Sequence, residues 1–523
     1  MLSKVSFNSI FDGMSSAQYF GSENSYQSSI AIDPDMPVGS QVKASGCLVP
    51  VVYEEFSGAN ITGYPKWIVT NIKNSLIYTY SSDGKVVSYS ASLGDETLVG
   101  TPTSGAGNGA IYYRNYIYFA TTVDISRYGP LDGTPALTNT VWTGATLGSQ
   151  TTLVNTTYPT LSGVQLPNHP MYVHSDNSLY FADVLTGGGI LHKIKTTKST
   201  AEGDTNNGSA YNVLDLPQGW FITDIDAWGL DIAILAVQGT SATIEQGKAA
   251  LFIWETTNTD TFYRGPIFLP DPLATSLMNV NGRLYIWSGN AVAGCRLSEY
   301  IGGDMISEVA FIEDGIPPMA GACDANGGRI AWANKTTTPE ASVSVLGFGS
   351  KSSKIKKAVH NIARTTSAGA NGICTSLKYV QQGSTTTKMI LGWGDDSAKG
   401  IDKYSTSGTY DSIFRTKVVN VGAKFTIDRI KIPLGAALAA NMSLVVKIYY
   451  DDEVSSKTLT TINTTNFTAG TREIIFTQQN ILDSSITPRN NFFLEFSWGG
   501  SVKLPLLLPI EVVVDIAEDE GND

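Results

Sequence analysis

The sequence predicts an all-β protein: a β-propeller of about seven blades followed by a C-terminal β-sandwich. Three observations carry this expectation. A polar turn followed by a strand-like apolar run returns seven times within the first 400 residues, and long helical periodicity is nearly absent. From about residue 406 the rhythm changes to longer strands that alternate apolar and polar positions. Recurrence of a β-unit at this spacing is the mark of radial repetition, and sustained alternation is the mark of sheets wet on one face.

The recurring phrase reads Asn74-Ser-Leu-Ile-Tyr78, Asn115-Tyr-Ile-Tyr-Phe119, Asn177-Ser-Leu-Tyr-Phe181, Gly229-Leu-Asp-Ile-Ala-Ile-Leu235, Asn281-Gly-Arg-Leu-Tyr-Ile-Trp287, Gly327-Gly-Arg-Ile-Ala-Trp332 and Lys388-Met-Ile-Leu391. Its central apolar residues, Leu76, Ile117, Leu179, Ile232, Leu284, Ile330 and Met389, lie 41 to 62 residues apart. A four-stranded blade takes roughly 40 to 50 residues, so each interval holds one blade and a loop of variable length. In several units a Gly-containing turn and a second strand come next, as in Ser82-Asp-Gly-Lys-Val-Val-Ser-Tyr89, which is a hairpin signal. Two stacked sandwiches also fit regularly spaced short strands; seven similar units favour the ring, with six to eight blades as the range.

Along the chain, residues 1–45 carry excess Gly, Ser and Asp and read as an extended arm. The strand-like Cys47-Leu-Val-Pro-Val-Val-Tyr53 is expected to pair with the last blade and close the ring. The blades occupy 46–405, with a Thr-, Gly- and Pro-rich insertion at 130–168 that reads as a contact loop. Residues 406–516 form the sandwich, and 517–523 an acidic tail. The stretch 406–523 holds 10 Lys and Arg against 14 Asp and Glu, five of the acids falling in its last nine residues.

Composition excludes several function classes. Charged residues make 16% of the chain, against a typical ~25%, and Gly is abundant at 51. That is the composition of short strands joined by tight turns. A net charge of -12 argues against nucleic-acid binding, which needs clustered Lys and Arg. The one dense basic stretch, Lys351-Ser-Ser-Lys-Ile-Lys-Lys357, reads as a solvated loop between blades. The N-terminal residues show no signal-peptide apolar region, and no run approaches 18 apolar residues, so neither secretion nor membrane insertion is expected.

Chemistry-bearing residues are sparse. Cys47, Cys295, Cys323 and Cys374 have no metal-ligand spacing, and His169 and His174 lack companions that would complete a zinc site, so no metal or other cofactor is expected. Acids near strand starts are Asp83, Asp176, Asp183, Asp224, Asp226 and Asp324. Asp224 and Asp226 share one strand face and would be the pair to consider for carboxylate catalysis at a propeller axis. Turn capping is the commoner use of such acids, and no sialidase-like box or nucleophile elbow accompanies them, so no catalytic residue is assigned. Trp67, Trp254, Trp287, Trp332 and Trp393 fall in or beside strand phrases and read as core. Trp142, Trp220 and Trp228 are the candidates for stacking on a sugar.

Phe11-Asp-Gly-Met14 and the arm, the degenerate propeller, and a sandwich containing Phe425-Thr-Ile-Asp-Arg-Ile-Lys-Ile and Ser443-Leu-Val-Val-Lys-Ile-Tyr-Tyr-Asp-Asp452 together resemble virion structural proteins of tailed bacteriophages. The resemblance is to tail nozzle or hub components and spans nearly the whole chain. It implies a non-enzymatic virion protein that forms rings or decorates the tail, with copies of itself and neighbouring tail or connector proteins as partners. The alternative is a receptor- or glycan-binding propeller, and the two differ in whether the chain assembles with itself.

Overall fold

A computed structural model of the chain describes residues 2–7, 13–14, 25–30, 32–33, 47–50, 52–55, 62–90, 96–103, 107–121, 124–139, 169–185, 188–194, 211–238, 247–256, 263–290, 294–312, 315, 317–326, 329–335, 341–348, 357–364, 373–382, 386–394, 399–405, 412–450, 456–481, 489–500, 502 and 504–516. Trp142, the insertion from residue 140 to 168, residues 351–356 and the acidic tail lie outside them. Among the described residues the only helix is Gln478–Ile481, and no helix is long and apolar enough to cross a membrane.

Among the described residues, seven four-stranded sheets account for the repeat. Their first strands are Pro65–Thr70, Gly109–Tyr113, Met171–Val173, Trp220–Trp228, Ala274–Val280, Cys323–Asn326 and Ile373–Gln382. Each of these touches the first strand of the next sheet, and the seventh touches the first, so the sheets close into a seven-bladed ring.

The recurring phrase is the turn into the second strand of each blade: Ile77–Ser81, Tyr116–Ala120, Leu179–Leu185, Asp231–Gln238, Arg283–Asn290, Arg329–Lys335 and Thr386–Gly394. A second strand has a strand on each side and a blade over each face. Asp231–Gln238 is accordingly buried at every position but its two ends, and reads as an unbroken apolar run. The polar turn residues are set by backbone geometry. Asn281 and Gly282 have φ of 53° and 81°, the left-handed pair that a two-residue type I′ hairpin requires. A Cβ at Gly282 would meet nothing within 4 Å, so the dihedral and not crowding selects glycine there. Trp67, Trp254, Trp287, Trp332 and Trp393 are all buried, as their positions in the phrases imply.

The N-terminal segment meets expectation in part. Strand Val52–Glu55 is the outer strand of the seventh sheet, so the chain start closes the ring. Cys47–Pro50 pairs instead with Ile32–Asp33 and with Leu506–Leu507. The stretch read as a free arm also contributes Leu2–Phe7 and Ser25–Ile30 to the C-terminal sheet system. Val5 and Phe7 pack against its core, which gives this short alternating segment a reason to be a strand.

The chain divides into two compact units, one of Met1–Glu54, Ser344–Thr366 and Tyr404–Asp523, the other of Glu55–Val343 and Ser367–Lys403. In the first, two layers face one another. Strands Glu473–Thr477, Val419–Pro433, Ile510–Ile516 and Leu2–Phe7 lie side by side in one. Ser443–Tyr450, Arg489–Gly499, Ser412–Thr416 and Ser25–Ile30 form the other. Val419–Pro433 begins beside Arg489–Gly499 and, after a register shift, continues beside Ile510–Ile516, so one strand links both layers. Alternate residues, Ile430, Ile432, Ile474, Val512 and Val514 from one layer and Leu444, Val446, Leu494, Phe496 and Trp498 from the other, make one core.

Trp498 is a sensitive point of that core, 1% exposed and donating its indole N–H to the Leu504 carbonyl at 2.6 Å. Trp498→Ala is expected to cost about 3–5 kcal/mol through the cavity left behind. Urea unfolding of the variant should show a clearly lowered midpoint, and an unchanged midpoint would refute the indole's place in the core.

Candidate functional site

The first strands carry the acids that could meet at a propeller axis, and three of the six candidates are found there. A bulge falls at matching places in four of these strands, between Pro65 and Trp67, Ile222 and Asp224, Ala274 and Ser276, and Cys374 and Ser376. A bulge re-aims the side chains around it. The residues it isolates, Lys66, Thr223, Thr275 and Thr375, are all buried.

Beyond the bulge, hydrogen bonds run from one blade to the next. Asp224 Oδ2 accepts from the Leu277 backbone N–H at 2.9 Å and the Ser276 hydroxyl at 3.1 Å, while Oδ1 accepts from the Ile225 N–H at 2.9 Å. Asp226 repeats this two residues on, with Oδ2 on the Asn279 N–H and Oδ1 on the Ala227 N–H, both at 2.7 Å. Asp324 links the sixth blade to the seventh, accepting from the Tyr379 N–H at 2.7 Å and the Lys378 ammonium at 3.1 Å. Thr223 donates to the Ala274 carbonyl at 2.9 Å, and Ser376 to the Pro65 carbonyl at 2.9 Å across the seventh and first blades. Every oxygen of the three carboxylates is thus a hydrogen-bond acceptor, and five of their donors are backbone N–H groups.

Burial sets the electrostatics. Asp224 is pushed up to about 7 from its ordinary 3.8, chiefly by desolvation, with the Asp226 charge adding to the rise and the N–H donors opposing it. Asp226 is pushed up to about 6, again by burial, with its N–H donors and the Lys378 charge opposing. Both residues keep some accessible surface. Tyr172 is pushed up to about 12 by burial first and then by the Asp226 and Asp176 charges.

The other candidates serve local structure. Asp83 caps its turn, accepting from Thr62 and the Lys85 N–H. Asp176 accepts from the Ser178 N–H at 2.9 Å and the Tyr180 hydroxyl at 3.0 Å. Asp183 is buried 3.6 Å from His169 Nδ1. His169 Nδ1 lies 3.0 Å from the Ala182 carbonyl in strand Leu179–Leu185, and His174 Nε2 lies 2.9 Å from the Leu230 carbonyl in the turn before Asp231–Gln238. Among the described residues no three His, Cys, Asp or Glu side chains are arranged to hold a metal ion. Cys295 and Cys374 are buried, Cys323 is half-buried, and burial raises all three thiols.

Of the stacking candidates, Trp220 is buried and meets Phe252 edge-on at 5.2 Å, and half-buried Trp228 meets Tyr300 at 4.8 Å. Trp220 is thus packed into the blade core, and Trp228 keeps part of its surface exposed. The sequence reading found Asp224, Asp226 and Asp324 as acids but missed their bonding partners. Lys378 has no motif around it, and a backbone N–H leaves no trace in composition.

Comparison with protein-family models finds no match, and no curated protein matches the sequence. Solved structures similar to the chain include the extracellular domain ascribed to a hybrid two-component system of B. thetaiotaomicron, with a TM-score of 0.39, 12% identity, and coverage of 75% of this chain and 44% of that one. This chain therefore spans less than half of that domain. The β-propeller domain of Myceliophteria thermophila Cps50 (Swd1) has a TM-score of 0.40 and 11% identity, covering 68% of this chain and 99% of the other. The Neurospora crassa Pan2 WD40 domain has a TM-score of 0.38 and 9% identity, covering 67% and 91%. The fold itself rests on the strand order and ring closure given above.

The raised aspartates make stability depend on pH with a definite sign. Asp224 titrates near 3.8 in the unfolded chain and near 7 in the fold, so the fold holds the proton more tightly. Its contribution is fully present below about pH 4 and is lost as pH rises through about 7. Urea midpoints of the wild type should fall across that window, and Asp224→Asn should flatten the fall. Equal slopes for the two proteins would show that Asp224 is not the group responsible.

Proposed function

We propose that this chain is a non-enzymatic structural component of a tailed-phage virion, a ring-forming or tail-associated assembly protein of nozzle or hub type. One observation supports it above the others. The axial carboxylates that would have to act in catalysis are held as acceptors for backbone N–H groups of the neighbouring blade. A general acid or base must exchange protons with a substrate, and these oxygens instead hold the ring together. The propeller is then a rigid disc whose use lies in its surfaces.

Two further features agree with this reading. The N-terminal strand Leu2–Phe7 is bound into the C-terminal sandwich, so the two ends of the chain stiffen one unit. The net charge of -12 would keep a body near packaged DNA from adhering to it. The virion placement itself comes from the resemblance of the arm, propeller and sandwich sequences to tailed-phage structural proteins.

Immunogold labelling with an antibody to the purified chain tests the reading on phage particles from a lysate in which the gene is expressed. Gold at one end of the tail, with the chain recovered from gradient-purified particles in fixed stoichiometry, is the expected result. Particles that are complete and infective without the chain would refute it.

A further inference from the structure

Among the described strands, one layer of the sandwich ends in two edges of opposite character. Its four strands, in the order Glu473–Thr477, Val419–Pro433, Ile510–Ile516 and Leu2–Phe7, are each antiparallel to the next. Among the described strands, Glu473–Thr477 and Leu2–Phe7 each pair on one side only. An even number of alternating strands leaves the two edge strands running in opposite directions. A second copy in the same orientation therefore brings its Glu473–Thr477 strand antiparallel to Leu2–Phe7, as continuation of the sheet requires.

The face turned away from the core carries a charge ladder across all four strands. Glu473 pairs with Lys431 at 2.8 Å, and Lys4 with Glu511 at 2.6 Å. Lys431 and Glu511 are cross-strand neighbours in register. Read across the sheet, the signs run negative, positive, negative, positive, so the ladder ends on Glu473 at one edge and on Lys4 at the other. Each edge also bears one exposed apolar residue on that face, Ile475 at 46% and Leu2 at 64%.

We propose that copies of this chain join head to tail, the Leu2–Phe7 edge of one adding in antiparallel register to the Glu473–Thr477 edge of the next. The register that sets Lys4 opposite Glu473 also sets Leu2 opposite Ile475, because a step of two residues back along one strand is a step of two forward along the other. Both the ion-pair ladder and the apolar contact are continued by a single alignment. An edge paired with its own kind would bring like charges together, so the pattern favours the head-to-tail contact and opposes the two-fold one. Such a contact is heterologous and generates rings or open filaments. The inference rests on the assembly reading above and names the surface that carries it.

The test uses the full-length chain with two substitutions on the exposed face, Ile475→Lys and Leu2→Lys, sized by mass photometry and sedimentation. The wild type is expected to form oligomers, and each variant alone to be monomeric, with association weakened roughly tenfold or more by a lysine set into the apolar contact. An equimolar mixture of the two should form dimers and nothing larger, since each retains the edge the other lacks. Unchanged urea midpoints, and the milder Ile475→Thr, keep a folding defect from passing as a loss of contact. Wild-type oligomers that survive both lysines overturn the edge pairing and leave the assembly reading standing, as does a mixture that stays monomeric beside an oligomeric wild type. A monomeric wild type overturns the edge pairing, and particle labelling then decides the virion reading on its own.

Discussion

The structure depends on how it satisfies the edges of its sheets. A four-stranded sheet ends in two rows of backbone N–H and C=O groups, and a buried row without partners is costly. A closed ring turns one edge of every blade toward the axis, where seven such rows crowd together. The chain answers with side chains sent from one first strand to the backbone of the next: Asp224 and Asp226 from the fourth blade to the fifth, Asp324 from the sixth to the seventh, and Ser376 from the seventh to the first. A carboxylate suits this task because it accepts several N–H bonds and donates none. Burial raises its pKa in exchange, so the groups that close the axis also carry the pH sensitivity.

Much of this fold could be read from sequence because a second strand lives in a uniform setting. It is covered on both faces and both edges, so its residues are apolar without interruption, and the turn before it must reach left-handed dihedrals. Both requirements leave marks: Ile232 to Val237 as a run, Asn281 and Gly282 as a turn. The sandwich strands were legible for the converse reason, one wet face and one dry. Leu2–Phe7 escaped because its alternation is short and its partner, Ile510–Ile516, lies at the far end of the chain. Periodicity records which face of a strand is buried and says nothing of what lies across from it.

The axial site shows a different limit. Asp224 and Asp226 stand out as acids two residues apart, and that spacing fits both a catalytic pair and a pair of pegs. What separates the two readings is the identity of the donors. Leu277 and Asn279 act through their main chains, so any residue other than proline could donate at those positions, and no pattern of residue types records them. The bulge that aims Asp224 is equally silent, being a matter of register between Ile222 and Asp224. The structure adds the donors themselves, the Leu277 and Asn279 N–H groups, which the spacing of the acids leaves open.

The two halves of the molecule treat their edges by different electrostatics, with different consequences. At the axis the carboxylates are desolvated and bonded to fixed dipoles, so salt reaches them poorly and protons control them. On the sandwich, Glu473, Lys431, Glu511 and Lys4 lie on a solvated face, where ions screen each pair and no single one contributes much. A ladder of weak, screened pairs adds little to folding, but its end-to-end polarity distinguishes the two edges from each other. Selectivity between alternative contacts needs only a difference in energy, which alternating charge supplies at small cost to stability. The axis is therefore built for permanence within one chain, and under the proposed head-to-tail contact the sandwich edge would choose the orientation of the next.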